Sequence, residues 1–202
     1  MPGSHQRNSV ISITPRQDQV NRALRELAHI RGGAPKALAA ALNKTATGAK
    51  TDTVRILAKL YTAKQKHVRE AVFVGPKASA ANLRTSIIGR RDIGIPLIFY
   101  RHKRKRIIDK RGRRNWAVYA EVKQGETNKL QWAFMATIKG ERHIAAKIHR
   151  GERVPIRRLY GPSVPSMMNN DEVANTVLSL AQARLDKYLA HEIDRIEKGY
   201  GK

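Results

Sequence analysis

The chain of 202 residues contains no cysteine, which excludes disulfides and thiolate metal sites and fits a reducing compartment. Aromatic residues are scarce, at 5%, and the hydrophobic share is 41%. That composition suits a protein whose arms and loops are ordered by neighbours. No apolar run approaches the ~20 residues needed to cross a bilayer, and Met1–Ser9 lacks the apolar core of a signal peptide. Acidic residues are few as well. Sixteen Asp and Glu stand against forty Lys and Arg, a formal net charge of +24. Such a field attracts a polyanion or an acidic protein surface and opposes self-association until it is neutralised.

The apparatus of catalysis is also missing. The acids are scattered without a close pair for general acid–base work, and the chain has no phosphate-binding glycine loop, no nucleophile elbow and no HExxH helix. Ser163, in Gly161-Pro162-Ser163-Val164-Pro165, has a setting explained by the prolines rather than by nucleophilicity. His143 and His149 are six apart with no third ligand and are expected to be strand-end or surface residues. No cofactor, metal or catalytic residue is expected, and the chain does not read as an enzyme.

What is present is a strong asymmetry. Residues 171–202 carry five basic and six acidic side chains and sum to −1, whereas residues 1–170 carry 35 basic and 10 acidic ones and sum to +25. The last segment is therefore expected to be a packing helix, and the charge belongs to the rest. Its stripe is Val173, Val177, Ala181, Leu185, Leu189, Ile193 and Ile196, opened near Asn169 by an Asn-x-x-Glu capping pattern.

Helical spacing of Val20, Leu24 and Leu27 follows a Thr14-Pro15 start, and Gly32-Gly33 end that helix. A second helix opens at Pro35 with a face of small residues, bends or restarts near Thr51-Asp52-Thr53, and gives way to a short basic helix over 64–71. The period then changes from 3.6 to 2. Strands are expected at 72–74, 83–89, 97–100, 116–122, 131–138 and 143–148, the last two joined as a hairpin through Lys139-Gly140-Glu141-Arg142. Trp116 and Trp132 can stack on bases, but at strand positions they are expected as core anchors.

The fold class is thus α+β: N-terminal helices, an antiparallel sandwich- or barrel-like sheet, and a long C-terminal helix packed on it. Residues 1–13 read as a disordered leader, 14–71 as a helical region, 72–150 as the β region, 151–168 as a proline-rich connector and 169–198 as the final helix. Together these make one domain with a helical arm.

The densest feature is a basic hairpin over 101–114, with Arg101, Lys103, Arg104, Lys105, Arg106, Lys110, Arg111, Arg113 and Arg114 against a single acid, Asp109. Such a loop can neutralise phosphates without reading sequence, dock an acidic protein, or remain solvated without a specific partner. A second group, Lys59, Lys64, Lys66, His67 and Arg69, reads as a solvated helix face. Arg153, Arg157 and Arg158, beside the connector, face either a partner subunit or a phosphate.

Three short strings occur in a fixed order: Ile95-Pro96-Leu97-Ile98-Phe99, then Phe134-Met135-Ala136-Thr137-Ile138-Lys139-Gly140, then Arg153-Val154-Pro155-Ile156-Arg157-Arg158-Leu159-Tyr160-Gly161-Pro162-Ser163-Val164-Pro165. With the alanine-rich helix and its basic continuation, this order resembles the prophage minor tail protein Z family over roughly residues 17–197. The resemblance implies a low-copy structural protein of a tailed phage or prophage-derived particle, made in the host bacterial cytoplasm and located in the virion tail or neck. It implies action late in tail assembly, at the head-proximal end where DNA enters the lumen, and a six-fold ring with a sheet core and flanking helix. Expected partners are copies of itself, other tail or neck proteins and non-specific double-stranded DNA, with no membrane. Arg157, Arg158, Leu159, Tyr160, Pro162, Val164 and Pro165 of the connector would then contact adjacent subunits. The alternatives are a free, non-specific nucleic-acid-binding protein of nucleoid or ribosomal type and, with less support, a metal-dependent nuclease.

Overall fold

The computed structural model describes residues 9–90, 93–108, 112, 114–147 and 156–199. Its body is a pair of long helices, α2 (Gly33–Leu60) and α5 (Asp171–Glu197). The contacts Lys44–Glu192 and Asp52–Arg184 show that they run antiparallel. Small residues on α2 (Ala37, Ala41, Ala49) are fully buried against the α5 stripe, and every member of that predicted stripe is buried. Asn170 caps α5, its side chain accepting the Glu172 N–H at 3.0 Å, one residue beyond the expected Asn169.

The expected break in α2 is absent. The hydroxyls of Thr47, Thr51 and Thr53 turn back onto the carbonyls four residues earlier, and Arg184 holds Asp52 at 2.7 and 2.9 Å, so residues with weak helix preference stay inside one helix. Helix α1 (Gln17–Glu26) is turned slightly from its expected face. Leu24 is exposed, while Gln19 is buried because Asp186 of α5 accepts its amide at 2.7 Å. A short helix, α3 (Gln65–Ala71), follows α2.

Among the described residues the β region is antiparallel and divided among three three-stranded sheets. The first contains β1 (Ser9–Ile13), β2 (Val72–Val74) and β3 (Thr85–Gly89), with β3 in the centre. Strand β1 corrects the expectation of a leader up to residue 13. Ile11 and Ile13 alternate inward, which gives a five-residue segment enough buried surface to be held. Residues 1–8 lie outside the described residues.

The second sheet contains β4 (Arg101–Ile108), β5 (Arg114–Glu121) and β6 (Thr127–Leu130), and the third contains β7 (Ala133–Ile138), β8 (Glu141–Lys147) and β9 (Ile156–Arg158). Strands β7 and β8 form the expected hairpin, closed by only two residues, Lys139 and Gly140, both at positive φ as a type I′ turn requires. Residues 97–99 form a 3-10 turn rather than the expected strand. Pro96 has no N–H to offer a ladder, and the neighbouring backbone groups are used by the connector instead. Helix α4 (Val164–Met168) converts the end of the connector into a single buried turn before α5.

Candidate functional site

The basic run is itself a strand. Sequence expects a basic hairpin over 101–114 between strands at 97–100 and 116–122, and the structure extends the ladder into the basic run: β4 pairs with β5 along its whole length, from Arg101↔Glu121 to Ile108↔Arg114. Period-2 geometry divides its side chains between two faces. Arg104 and Arg106 share one face with Trp116 of β5, whereas Arg101, Lys103 and Lys105 share the other with Tyr119 and Glu121. All six residues from Arg101 to Arg106 are exposed. Strand β6 stops at the Val118↔Leu130 pair, so the outer half of β4–β5 stands as a two-stranded ribbon with β4 as a free, charged edge. Positive side chains on an edge discourage pairing with another strand and leave the surface to other partners.

The base of the ribbon is fastened to the helical body. The Thr62 hydroxyl, just after α2, donates to the Glu121 carbonyl and accepts the Arg101 N–H at 3.1 Å. The Thr62 N–H donates to Val122 (3.0 Å), and the Gln124 N–H donates to Leu60 (2.9 Å). The Glu121 carboxylate accepts the Gly125 N–H at 2.9 Å and lies 3.0 and 3.2 Å from an Arg101 nitrogen. The Gly125 bond, reinforced by Arg101 against the opposing effect of burial, holds this carboxyl below the usual range. Among the described residues, Arg101 is the one cation of β4 with a carboxylate partner. Lys110, Arg111 and Arg113 lie outside the described residues, and Arg114 opens β5, exposed.

The tryptophans overturn their assignment as core anchors: Trp116 is 46% exposed and Trp132 60%. Trp116 sits where β5 has left the core, and its ring is covered instead by arginine, with the Arg104 guanidinium 4.1 Å and that of Arg106 5.3 Å from the ring centroid. Trp132 lies in the tight β6–β7 connection at φ 53°. His143 also departs from expectation. It is buried because β8 is the central strand of its sheet, and Glu141 lies 3.6 Å from its Nε2. His149 and Arg153 fall outside the described residues.

The connector is stitched into its own chain. Arg157 and Arg158 pair with Ala146 and Ala145 of β8. Leu97 donates its N–H to Leu159 (3.0 Å), Gly161 donates to Ile95 (2.8 Å), and the Tyr100 hydroxyl donates to the Pro162 carbonyl (3.2 Å). Burial, with a smaller contribution from Tyr61, pushes the Tyr100 phenol above its ordinary value.

Two glycines permit this approach. A Cβ on Gly94 would lie 2.0 Å from the Gly161 carbonyl oxygen, and one on Gly161 would lie 2.7 Å from the Tyr100 ring. Val164 and Pro165 are buried and Leu159 packs against the core, so of the seven connector residues expected to contact subunits Arg157 and Tyr160 are the exposed ones, with Ile156 exposed beside them. Beside Tyr160, an open apolar notch of about 310 Å³ is lined by His67, Ile93, Phe99 and Val164 among others.

Ser163 is the N-cap of α4, its oxygen accepting the Ser166 N–H at 3.3 Å. Ser163→Ala should therefore cost about 1 kcal/mol of stability in denaturant titration, the usual worth of a cap, and nothing more. In the second basic group, Lys59, Lys64, Lys66 and Arg69 are exposed, and His67 stacks on Phe99 at 3.9 Å. Among the described residues no group of His, Asp and Glu could hold a metal ion, and no helix is long and apolar enough to cross a membrane.

A backbone stitched together by the Ile-Pro-Leu-Ile-Phe and Leu-Tyr-Gly-Pro-Ser strings is the structural form of the pattern seen in sequence. The sequence profile of the family described as prophage minor tail protein Z matches residues 19–197. The chain belongs to this family. It is therefore a minor tail protein of the phage type, structural in role, and its family places it in the virion. No curated protein and no solved structure is detectably similar to the chain. The residues of the minor tail protein that sequence reading passed over are Glu121 and Gly94. Gly94 acts through Gly161, far along the chain, and Glu121 is tied to Arg101 and Thr62 only once the sheet has formed.

Proposed function

We propose that this minor tail protein is a tail-completion or neck component. It forms a closed six-fold ring at the head-proximal end of the tail, with the β4–β5 ribbon turned toward the DNA. The observation that carries this reading is the ribbon: an edge strand with basic residues at five of its first six positions, all six exposed, and, among the described residues, paired with a carboxylate only at Arg101. A surface of this kind supplies phosphate neutralisation without sequence reading, which suits DNA passing through a lumen. The nearly neutral α5 is buried along its stripe, and the charge is left for partners. Ile156, Arg157, Tyr160 and the neighbouring notch are exposed connector surface available to adjacent subunits or other tail proteins.

Replacing Arg104, Lys105 and Arg106 by glutamate changes the formal charge by −6 on side chains that pack on no core. The variant should fold with unchanged thermal stability, within about 0.5 kcal/mol, while the yield of infectious or DNA-containing particles falls at least tenfold. Normal titre from that variant would remove the ribbon from the mechanism. A free nucleic-acid-binding protein is the rival reading, and it predicts that the chain is missing from purified particles.

A further inference from the structure

The two faces of the ribbon carry similar formal charge but are built differently, and the difference singles out one of them. On the face containing Lys103 and Lys105, Arg101 is committed to Glu121, which also lowers the local potential, and Lys105 reaches only to 5.8 Å from the Tyr119 ring. On the opposite face, Arg104 and Arg106 lie on the Trp116 ring at 4.1 and 5.3 Å, with no carboxylate partner among the described residues.

We infer that Arg104, Arg106 and Trp116 form a preorganised phosphate-binding site for the DNA backbone, in which Trp116 is a positioning residue that holds the two guanidinium forks. This deepens the DNA reading proposed above and rests on it. A guanidinium stacked on an aromatic ring keeps its in-plane N–H donors free, and those donors match a phosphate in bidentate fashion, which a lysine cannot do. Long side chains that are already restrained lose less freedom on binding than the solvated lysines opposite.

The chemistry also favours phosphate over an acidic protein. Protein interfaces centre on apolar anchors with charged residues depleted, whereas nucleic-acid interfaces are polar and strongly positive. The outer part of this face offers three guanidiniums, of Arg104, Arg106 and Arg114, against one exposed aliphatic side chain, Ile108, and two of the three lie over its one large ring.

A charge-matched comparison on the full chain tests the assignment, using random-sequence duplex DNA of about 25 base pairs across a salt series. Arg104→Ala/Arg106→Ala should weaken binding at least 30-fold and reduce the slope of log affinity against log salt by about 2. Lys103→Ala/Lys105→Ala removes the same charge and should weaken it less than about fivefold. Trp116→Ala, with formal charge unchanged, should weaken it about tenfold, and Trp116→Phe should restore it to within about threefold, because a ring face returns.

Equal losses from the lysine and arginine pairs, or full affinity in Trp116→Ala, would overturn the site while leaving a DNA-binding ribbon in place. Polyglutamate bound as tightly as DNA with the same arginine dependence would overturn the choice of phosphate. Absence of DNA binding by the parent chain at 50 mM salt would remove the DNA reading itself.

Discussion

Gly94→Ala should lower the melting temperature by about 6–12 °C, the shift that ~3 kcal/mol produces in a chain of this length. Introducing one methyl group normally stabilises a compatible glycine position by restricting the unfolded chain. Here the methyl carbon would arrive 2.0 Å from the Gly161 carbonyl oxygen, and the atom in the way is backbone rather than a movable side-chain end. Relief requires separating the two segments, which strains or breaks the Gly161-to-Ile95 bond and the longer Ile95-to-Pro162 bond of 3.4 Å. The Tyr100 hydroxyl bond to Pro162 depends on the same approach. Overpacking of this kind typically costs ~1–3 kcal/mol, and loss of the stitched hydrogen bonds brings the total to the upper end. An unchanged or raised melting temperature would show that the connector does not dock on 94–97.

The second large effect concerns a buried carboxylate. Glu192 of α5 is wholly inaccessible to solvent, with Lys44 of α2 donating to one oxygen and Arg195 to the other at 2.9 Å. His191 Nδ1 lies 3.8 Å away. Burial alone pushes this carboxyl up, but the hydrogen bonds and charges of Lys44 and Arg195 outweigh it and hold the group below its usual range. A carboxyl depressed in the folded state contributes stability that is present above its unfolded value of ~4.3 and is lost as pH falls through the lower folded value.

Replacing both cations, Lys44→Met with Arg195→Met, leaves burial as the dominant influence and reverses the sign. The folded value then lies above the unfolded one, and stability is lost as pH rises through it. At pH 7 the double variant should be less stable than the parent by about 2–3 kcal/mol, discounted from ~3–5 because both cations are half-exposed. Near pH 4 the gap should close to within ~1 kcal/mol, and adding Glu192→Leu should recover most of the loss at pH 7. Equal gaps at pH 7 and pH 4 would show that Glu192 is not the group concerned.

These two sites also mark where sequence reading stops. The stripe from Val173 to Ile196 was legible because helical periodicity is local, and all of it is buried. The β7–β8 hairpin was legible because its alternation flanks a Lys-Gly turn. Strand β4 was not, since Arg and Lys carry no signal of period 2, and its strand form comes from the pairing with β5. Trp116 was misread for a related reason. An aromatic on a strand usually marks the core, but its setting depends on a register that places Arg106 directly across from it. Glu192 and Lys44 are 148 positions apart, and Gly94 and Gly161 are brought together only by the fold, so neither contact exists at the level of local pattern. Strand β1 was lost to its shortness, five residues next to a polar start.

The most direct test of the account is the number of copies in the particle. Particles purified from the source strain, analysed by quantitative mass spectrometry against the major tail protein, should contain about six copies of this chain, the number a single closed six-fold ring requires. Absence from intact particles, or a copy number rising with tail length, would contradict a terminal ring and with it the placement of the basic ribbon at the DNA.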